Sequence, residues 1–267
     1  MRLLGREALR GRWGMGIMAF LLYFLTLNVP AVVLMFIPAG TVMVTVYTLL
    51  VTGPLALGIS IFSLNVFRNE EPAASQVFHG FEKFRKAFLL SLVIGLLIML
   101  RLLLIIPGVI LSVFVPFLAP LTIALCIPAI IAALKYSQAF FILVDNPEFG
   151  VMECITKSKE LMGGNKAKYF LLNLSFIGWA LLAAIPVGIY VSMVSLNAQH
   201  LIVMEMYEEF SLVFSSPGFI AIATVLSIGT VVVEAYMTVT MAGFYEMLKG
   251  NLKPGYIPTT ASVVDEV

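Results

Sequence analysis

Charged side chains are scarce in this sequence, and so are histidine and cysteine. Only 12% of the 267 residues are Asp, Glu, Lys or Arg, whereas soluble domains carry about 25% charged residues. Hydrophobic residues make up 61% of the chain, and the mean hydropathy is +1.04. A water-soluble fold of this length could not bury so much apolar surface, so the predicted medium around most of the chain is lipid.

The scarcity of reactive side chains excludes several classes of site. Two histidines are too few for the usual zinc-ligand sets, and Cys126 and Cys154 do not form the pattern of a disulfide framework. The sequence motifs of zinc proteases, α/β-hydrolases, P-loop proteins and dinucleotide-binding proteins are also missing. The formal net charge of +1 gives no basis for nucleic-acid binding. The sequence therefore predicts a protein that is not an enzyme, with no catalytic, cofactor or metal site.

The abundant apolar residues form long runs. About 20 apolar residues cross the hydrocarbon core of a bilayer as one α-helix. The predicted spans, six in number, are residues 13–38, 41–67, 89–115, 119–144, 169–194 and 218–244. We predict a single-domain, all-α polytopic membrane bundle. A basic amphipathic lead-in at 1–12 precedes the first span, and a flexible tail at 246–267 follows the last one.

The basic residues predict the orientation of these spans. Apart from Arg101 and Lys135, which lie within spans, every Lys and Arg falls on one side of the predicted bundle. The sizeable loop on the other side, 197–217, contains Glu205, Glu208 and Glu209 but no basic residue. Because loops rich in Lys and Arg stay in the cytosol, both termini are predicted to be cytosolic.

Besides the lead-in, two further basic segments are amphipathic. Apolar residues in 76–88 recur at helical spacing, with charged residues around the other side, and 147–162 has a similar pattern. Such a helix either lies in the membrane interface or packs on the cytosolic side of the protein itself, and periodicity alone does not separate the two. The candidate lipid-contacting residues of these and adjoining segments are Phe78, Phe81, Phe84, Lys83, Arg85, Lys86, Lys157, Lys166 and Lys168.

Besides Lys135, which is near the cytosolic end of its span, two ionisable residues lie deep inside apolar spans, where a charge costs on the order of 2.5–3.5 kcal/mol by insertion scales. Arg101 in span three and Glu234 in span six both fall roughly 20 Å from the cytosolic ends of their spans, at a rise of about 1.5 Å per residue. Equal depth makes a salt bridge between them a testable hypothesis. A static ion pair or two snorkelling side chains is one interpretation, and a polar site for transport or proton relay is the other.

The triplet Ile106-Pro107-Gly108 predicts a bend or an unwound point inside span three. Unwound points near the middle of the membrane line binding sites in many transporters. The triplet is therefore a candidate for the wall of a cavity within the bundle.

A set of short motifs runs in order along most of the chain. They are Asp145-Asn146-Pro147, 158–162, 164–166, 172–179, Gly53-Pro54, Gly58, 78–81, 106–108 and Phe244-Tyr245. As a set they resemble a bacterial integral-membrane family without an assigned activity, catalogued as domain of unknown function 975. Extra apolar residues at 109–131 depart from the family's pattern. The resemblance implies a multi-pass protein of the bacterial plasma membrane and supplies no catalytic residues.

Three functions are compatible with these features. The first is a non-enzymatic protein that binds or moves a small lipid-like or peptide ligand within its helical bundle. The second is an accessory, scaffold or immunity-type protein that organises the bilayer. The third is a membrane-embedded enzyme acting on lipid, favoured only by Glu234 and by a distant similarity of the family to the membrane portion of some glycerophosphodiester phosphodiesterases. Membrane lipids are predicted partners throughout, and the oligomeric state stays open.

Overall fold

The computed structural model describes residues 1–114, 117, 124–203, 206, 209, 212–214 and 216–252. The regular elements of these residues are helices. The main ones are α1 (Arg2–Ala8), α2 (Trp13–Leu34), α3 (Gly40–Arg68), a 3₁₀ helix (Ala74–Phe81), α4 (Phe84–Leu102), α5 (Ile105–Phe114), α6 (Ile127–Tyr136), α7 (Ala139–Asp145), α8 (Val151–Leu161), α9 (Lys166–Leu174), α10 (Ile177–Val203), α11 (Pro217–Leu226) and α12 (Ile228–Leu248).

The predicted six spans are confirmed, with shifted limits. The helical stretches long and apolar enough to cross a membrane are Trp13–Leu34, Gly40–Arg68, Ala74–Val109, Ile127–Asp145, Lys166–Gln199 and Ile228–Leu248. Several of them contain a turn, because α4 and α5, α6 and α7, and α9 and α10 are separate helices within one stretch. The predicted tail begins too early, since α12 continues to Leu248 and buries Glu246. Its remaining part, 253–267, lies outside the described residues.

The buried core lies at one end of the bundle. In α3, almost every residue from 53 to 67 is buried, and in α12 every residue from 239 to 246 is buried. We call this region the packed end: residues 53–68, the 3₁₀ helix, α7, α8 and residues 235–248. Residues 40–51, 92–102 and α10, here called the apolar half, instead expose large apolar side chains such as Val42 and Leu96. Such a surface suits lipid, not water.

The 3₁₀ helix packs on α3 through two glycines. A Cβ atom at Gly58 would overlap the carbonyl oxygen of Val77, and one at Gly80 would overlap the carbonyl oxygen of Pro54. Val77 is fully buried by this contact. The structure therefore favours packing on the protein itself for this part of the amphipathic segment at 76–88. The segment is a 3₁₀ helix followed by the start of α4, not one continuous surface helix.

The second amphipathic segment, α8, is attached to the bundle by a buried serine. The Ser158 hydroxyl donates to Lys135 O at 2.9 Å and accepts from Gln138 N at 3.1 Å. Gln138 lies at the turn between α6 and α7, where the regular helical hydrogen bonds are interrupted, so Ser158 satisfies backbone groups that the turn frees. Cys154, on the same helix, is fully buried. Burial, together with the neighbouring Glu153 carboxylate, raises the pKa of its thiol.

Candidate functional site: a charged cluster and a cationic cleft

Three helix ends meet at a cluster of charged side chains in the packed end. Arg68 is the last residue of α3, Asp145 is the last residue of α7, and Glu246 lies in the last turn of α12. Arg68 Nε and Nη2 donate to Glu246 Oε1 at 3.0 and 2.5 Å, and Nη2 lies 2.8 Å from Asp145 Oδ1. A planar guanidinium can bind two carboxylates at once. Arg68 thereby ties three separate spans together.

The two carboxylates of this cluster have further donors. Tyr245 Oη and Lys249 Nζ donate to Asp145 Oδ2 at 2.9 and 2.6 Å. Asn251 Nδ2 donates to Glu246 Oε2 at 2.5 Å. The side chains of Asp145 and Glu246 are only 10% and 6% exposed. Buried charges need such complete pairing, so the cluster is a structural junction whose acids are already occupied.

Sequence reasoning missed the charged cluster. Each of its members is a single charged residue at the end of a different span, and Glu246 falls within the predicted flexible tail. Asp145 and Tyr245 were motif residues, but nothing in the sequence links them to Arg68. A usable signal exists in the topology, because six antiparallel spans bring the ends of spans two, four and six to the same face. Charges at those ends are then neighbours.

The corner between α7 and α8 is held by Lys86. Its Nζ donates to Pro147 O at 2.5 Å and to Phe149 O at 3.2 Å. The structure thus gives this predicted lipid-contacting residue backbone carbonyls as partners. An adjacent cavity of about 420 Å³ is lined by Ile142, Asn146, Phe149, Lys157, Glu160, Leu161, Tyr245 and Lys249. Its two lysines already have acidic partners, since Lys157 Nζ lies 3.0 Å from Glu160 Oε2 and Lys249 binds Asp145.

The other predicted lipid-contacting residues lie at the surface or are partly buried. Phe78, Phe84, Arg85 and Lys168 are exposed, whereas Phe81, Lys83 and Lys166 are half-buried. Phe84 stacks on Phe88 with ring centroids 5.8 Å apart, and Lys168 Nζ donates to Asn165 Oδ1 at 3.4 Å. Their contact with lipid stays a prediction.

The structure does not bring Arg101 and Glu234 together. Arg101 Nη1 donates to Leu97 O of its own helix at 2.5 Å. The ion pairs of the described residues involve Arg68, Lys157 and Lys249, and none joins Arg101 to Glu234. Arg101 and Glu234 do not pair because their helices have different neighbours. Helix α4 packs mainly on α3 and α6, whereas α12 packs mainly on α1, α2 and α3. Equal depth along two helices does not fix the distance between them.

The bend predicted at Ile106-Pro107-Gly108 falls just before the triplet. Leu103 and Leu104 form the turn between α4 and α5, and Pro107 lies in the first turn of α5. Proline is tolerated there because the first turn of a helix leaves its N–H groups unpaired in any case. Ile106 and Pro107 are exposed, and Gly108 is buried. The cavity beside Lys86 and the two cavities beside α1 are lined by other residues.

A cleft with cationic edges lies between α1, the start of α2, α10 and α12. Its volume is about 440 Å³, and it is lined by Arg2, Leu3, Arg6, Trp13, Trp179, Val232, Val233 and Tyr236. We call it the cationic cleft. A neighbouring cavity of about 480 Å³ shares Arg2 and Leu3 with it and adds Lys168. Both cavities combine apolar walls with a few basic side chains.

Helix α1 is fixed in place beside this cleft. Tyr236 Oη donates to Arg2 O at 2.9 Å, and Arg2 Nη1 donates to Ser175 O at 3.0 Å. A Cβ atom at Gly5 would overlap Thr240 Oγ1, so the glycine lets α1 approach α12 closely. The first half of the basic lead-in predicted at 1–12 is therefore a packed wall of the cationic cleft.

These features define a polytopic helical membrane protein with a charged junction at its packed end and a cationic cleft between α1, α2, α10 and α12. The chain belongs to the family described as "Protein of unknown function (DUF975)", whose model matches residues 1–252. This confirms the family that the motifs predicted. Neither a curated protein nor a solved structure matches the chain. The family has no assigned activity, so the function must be argued from the geometry.

Proposed function

We propose that this is a non-enzymatic, multi-pass protein of the bacterial plasma membrane that binds a small lipid-like or peptide ligand at its cytosolic end. The observation that carries the proposal is the cationic cleft, an apolar cavity of about 440 Å³ with Arg2 and Arg6 in its wall. Ligand pockets are typically about 300–1,000 Å³, mostly apolar, with a few polar groups that orient the ligand. The cationic cleft has this size and this composition.

The orientation with both termini in the cytosol is supported by the positions of the basic residues. Arg68 and Lys157 belong to the packed end, Lys249 directly follows it, and Lys86 in the first turn of α4 bonds the corner between α7 and α8. Basic residues near span ends are retained on the cytosolic side during insertion. The packed end is then cytosolic, and the cationic cleft opens toward the inner leaflet.

The part of the proposal that the protein is not an enzyme is supported by the partners of the buried carboxylates in the packed end. Asp145 and Glu246 are bound by Arg68, and Asp145 is also bound by Lys249 and Tyr245. A general acid or base needs a carboxyl group that reaches its substrate. These carboxylates are engaged in holding helices together.

A scaffold that organises the membrane is the second candidate, and the construction of the packed end favours it. The charged cluster joins three helix ends, and α8 is docked through the buried Ser158. Such a rigid end is suited to presenting α8 and its exposed pair, Lys157 and Glu160, to other proteins. Ligand retention separates the two candidates.

Native mass spectrometry of protein released from mild detergent tests the proposal. The wild type is expected to retain a lipid or a peptide. Val232→Trp places an indole in the cationic cleft and is expected to abolish retention, whereas Leu92→Trp, on the exposed surface of α4, is the matched control and should retain the ligand. A wild type that retains nothing, or equal retention by both variants, contradicts the proposal and favours the scaffold.

A further inference from the structure

We propose that the cationic cleft binds an anionic phospholipid. The phosphate lies between the guanidinium groups of Arg2 and Arg6, and one acyl chain follows the apolar surface of α10. This inference rests on the proposed function and narrows its ligand from a lipid-like or peptide molecule to one lipid class.

The two arginines are arranged to share one anion. Arg2 and Arg6 are four residues apart on α1, which places them on the same face of the helix. Both line the cationic cleft. In the part of the chain that the structure describes, the ion pairs leave Arg2 and Arg6 without a carboxylate partner. A guanidinium has five N–H donors, and the bond from Arg2 to Ser175 O uses one of them.

The arginine backbone is held where a bound phosphate would need it. The Arg2 carbonyl oxygen accepts a hydrogen bond from the Tyr236 hydroxyl, and Gly5 lets α1 pack closely on Thr240 of α12. A helix end that is fixed in this way loses little conformational freedom on binding an anion. Guanidinium groups also match the geometry of phosphate oxygens by forming paired hydrogen bonds.

Three of the residues that line the cleft are aromatic, namely Trp13, Trp179 and Tyr236. Trp13 and Tyr236 have ring centroids 5.9 Å apart, and Phe176 lies against Tyr236 at 5.0 Å. Trp179 lines the same cleft and is 56% exposed. Tryptophan and tyrosine concentrate at the level of lipid headgroups, where an apolar ring with a polar edge is best accommodated. The cleft therefore has the composition of the membrane interface, with the arginines beside the rings.

The exit from the cleft favours an acyl chain over an acidic peptide. Trp179, Leu182, Pro186 and Ile189 share one face of α10, and all four are exposed. A chain that leaves the cleft along this face meets apolar side chains only. The backbone of a peptide would leave its polar groups unpaired on such a surface, at a cost that an acyl chain avoids. Charge complementarity at one end and this apolar track at the other identify a phospholipid.

The chain carries a built-in probe of this site. It has two tryptophans, Trp13 and Trp179, and both line the cationic cleft. Tryptophan fluorescence in reconstituted vesicles is quenched by lipids brominated on the acyl chain when they touch the indole. Dibrominated phosphatidylglycerol and dibrominated phosphatidylcholine are compared over a range of mole fractions in unbrominated phosphatidylcholine.

For the wild type, half-maximal quenching is expected at a roughly thirtyfold lower mole fraction of the anionic lipid, given about 1 kcal/mol for each of the two arginines near a membrane surface. The double variant Arg2→Gln/Arg6→Gln should lose this preference and keep the quenching by phosphatidylcholine. Arg10→Gln/Arg12→Gln removes the same charge from the same segment outside the cleft and should keep the preference. Arg2→Lys/Arg6→Lys keeps the charge and removes the guanidinium groups. It is the variant to be measured in the same assay if the glutamine double variant does not fold.

Equal quenching of the wild type by both lipids overturns the inference, and so does an equal loss of preference in the two glutamine double variants. Excess inorganic phosphate separates a lipid site from a phosphate site: it should leave the quenching unchanged, and complete reversal would contradict the lipid assignment. If Val232→Trp abolishes ligand retention while the wild type shows no anionic preference, the inference fails and the proposed function stands. If the wild type retains no ligand at all, the proposed function fails first.

Discussion

The packed end and the apolar half are built from the same helices, yet their contacts differ in kind. In α3, residues 53–67 contact the 3₁₀ helix and the charged cluster, whereas residues 40–51 mostly face outward. Thr45 and Thr48 on the outward part bond carbonyls of their own helix. Tyr47 also bonds Thr26 O of α2, but the packed end has many more bonds between helices, such as those of Arg68 and Ser158.

The difference shows how helices associate when the solvent is apolar. Lipid tails are as apolar as leucine, so burying a leucine between helices in a bilayer gives little hydrophobic gain, and close packing and polar contacts must supply the specificity. The packed end has both, in the contacts of Gly58 and Gly80 and in its aromatic pairs. Phe141 stacks on Tyr245 at 5.5 Å, and Tyr169 lies against Phe244 at 5.1 Å. We expect mutations there to cost much more than mutations in the apolar half.

The largest effect is expected from Arg68→Gln. The substitution leaves Glu246, which is 6% exposed, without its cation, and Asp145 loses one of its two. Removing one partner of a buried ion pair typically costs about 3–5 kcal/mol. Glu160→Gln breaks the exposed Lys157–Glu160 pair and is the matched control, with an expected cost of about 0–1 kcal/mol. Unfolding in mild detergent with increasing dodecyl sulfate measures the loss of unfolding free energy in both variants. Equal losses would refute the stabilising role of the charged cluster.

A smaller effect is expected from Gly58→Ala. The added methyl group overlaps the carbonyl oxygen of Val77, a backbone atom that cannot move aside alone. Overpacking of this kind costs about 1–3 kcal/mol. Gly95→Ala in the apolar half is the control, since a Cβ atom there meets nothing within 4 Å, and it should be neutral or slightly stabilising. If the same unfolding assay ranks Gly95→Ala as the more damaging change, the 3₁₀ helix does not pack on α3 as described.

The spans and the family could be predicted from the sequence because their signals are local. An apolar run identifies a membrane helix from its own residues, and the motifs identify the family position by position. The hypothesis of a salt bridge failed because it depended on which helices are neighbours in the bundle. Arg101 and Glu234 have equal depth, but their helices pack on different neighbours.

The candidate site was even less accessible to sequence reasoning. The basic lead-in was predicted, but its packing on α12 depends on Gly5 and on Tyr236, which lie more than two hundred positions apart. The charged cluster likewise joins Arg68, Asp145 and Glu246 from three spans. Such contacts are set by the way the helices pack, which no single stretch of sequence encodes.

The proposed function depends on the packed end facing the cytosol and the loop at 197–217 facing outward. Cysteine labelling in cells measures this orientation directly. Cys126 and Cys154 are first replaced by serine, and single cysteines are then introduced as Lys157→Cys and Glu209→Cys, both at exposed positions. With a membrane-impermeant maleimide, the cysteine at 209 should react in intact cells, and the cysteine at 157 should react only after permeabilisation. Labelling at 157 in intact cells would place the packed end outside and contradict the account.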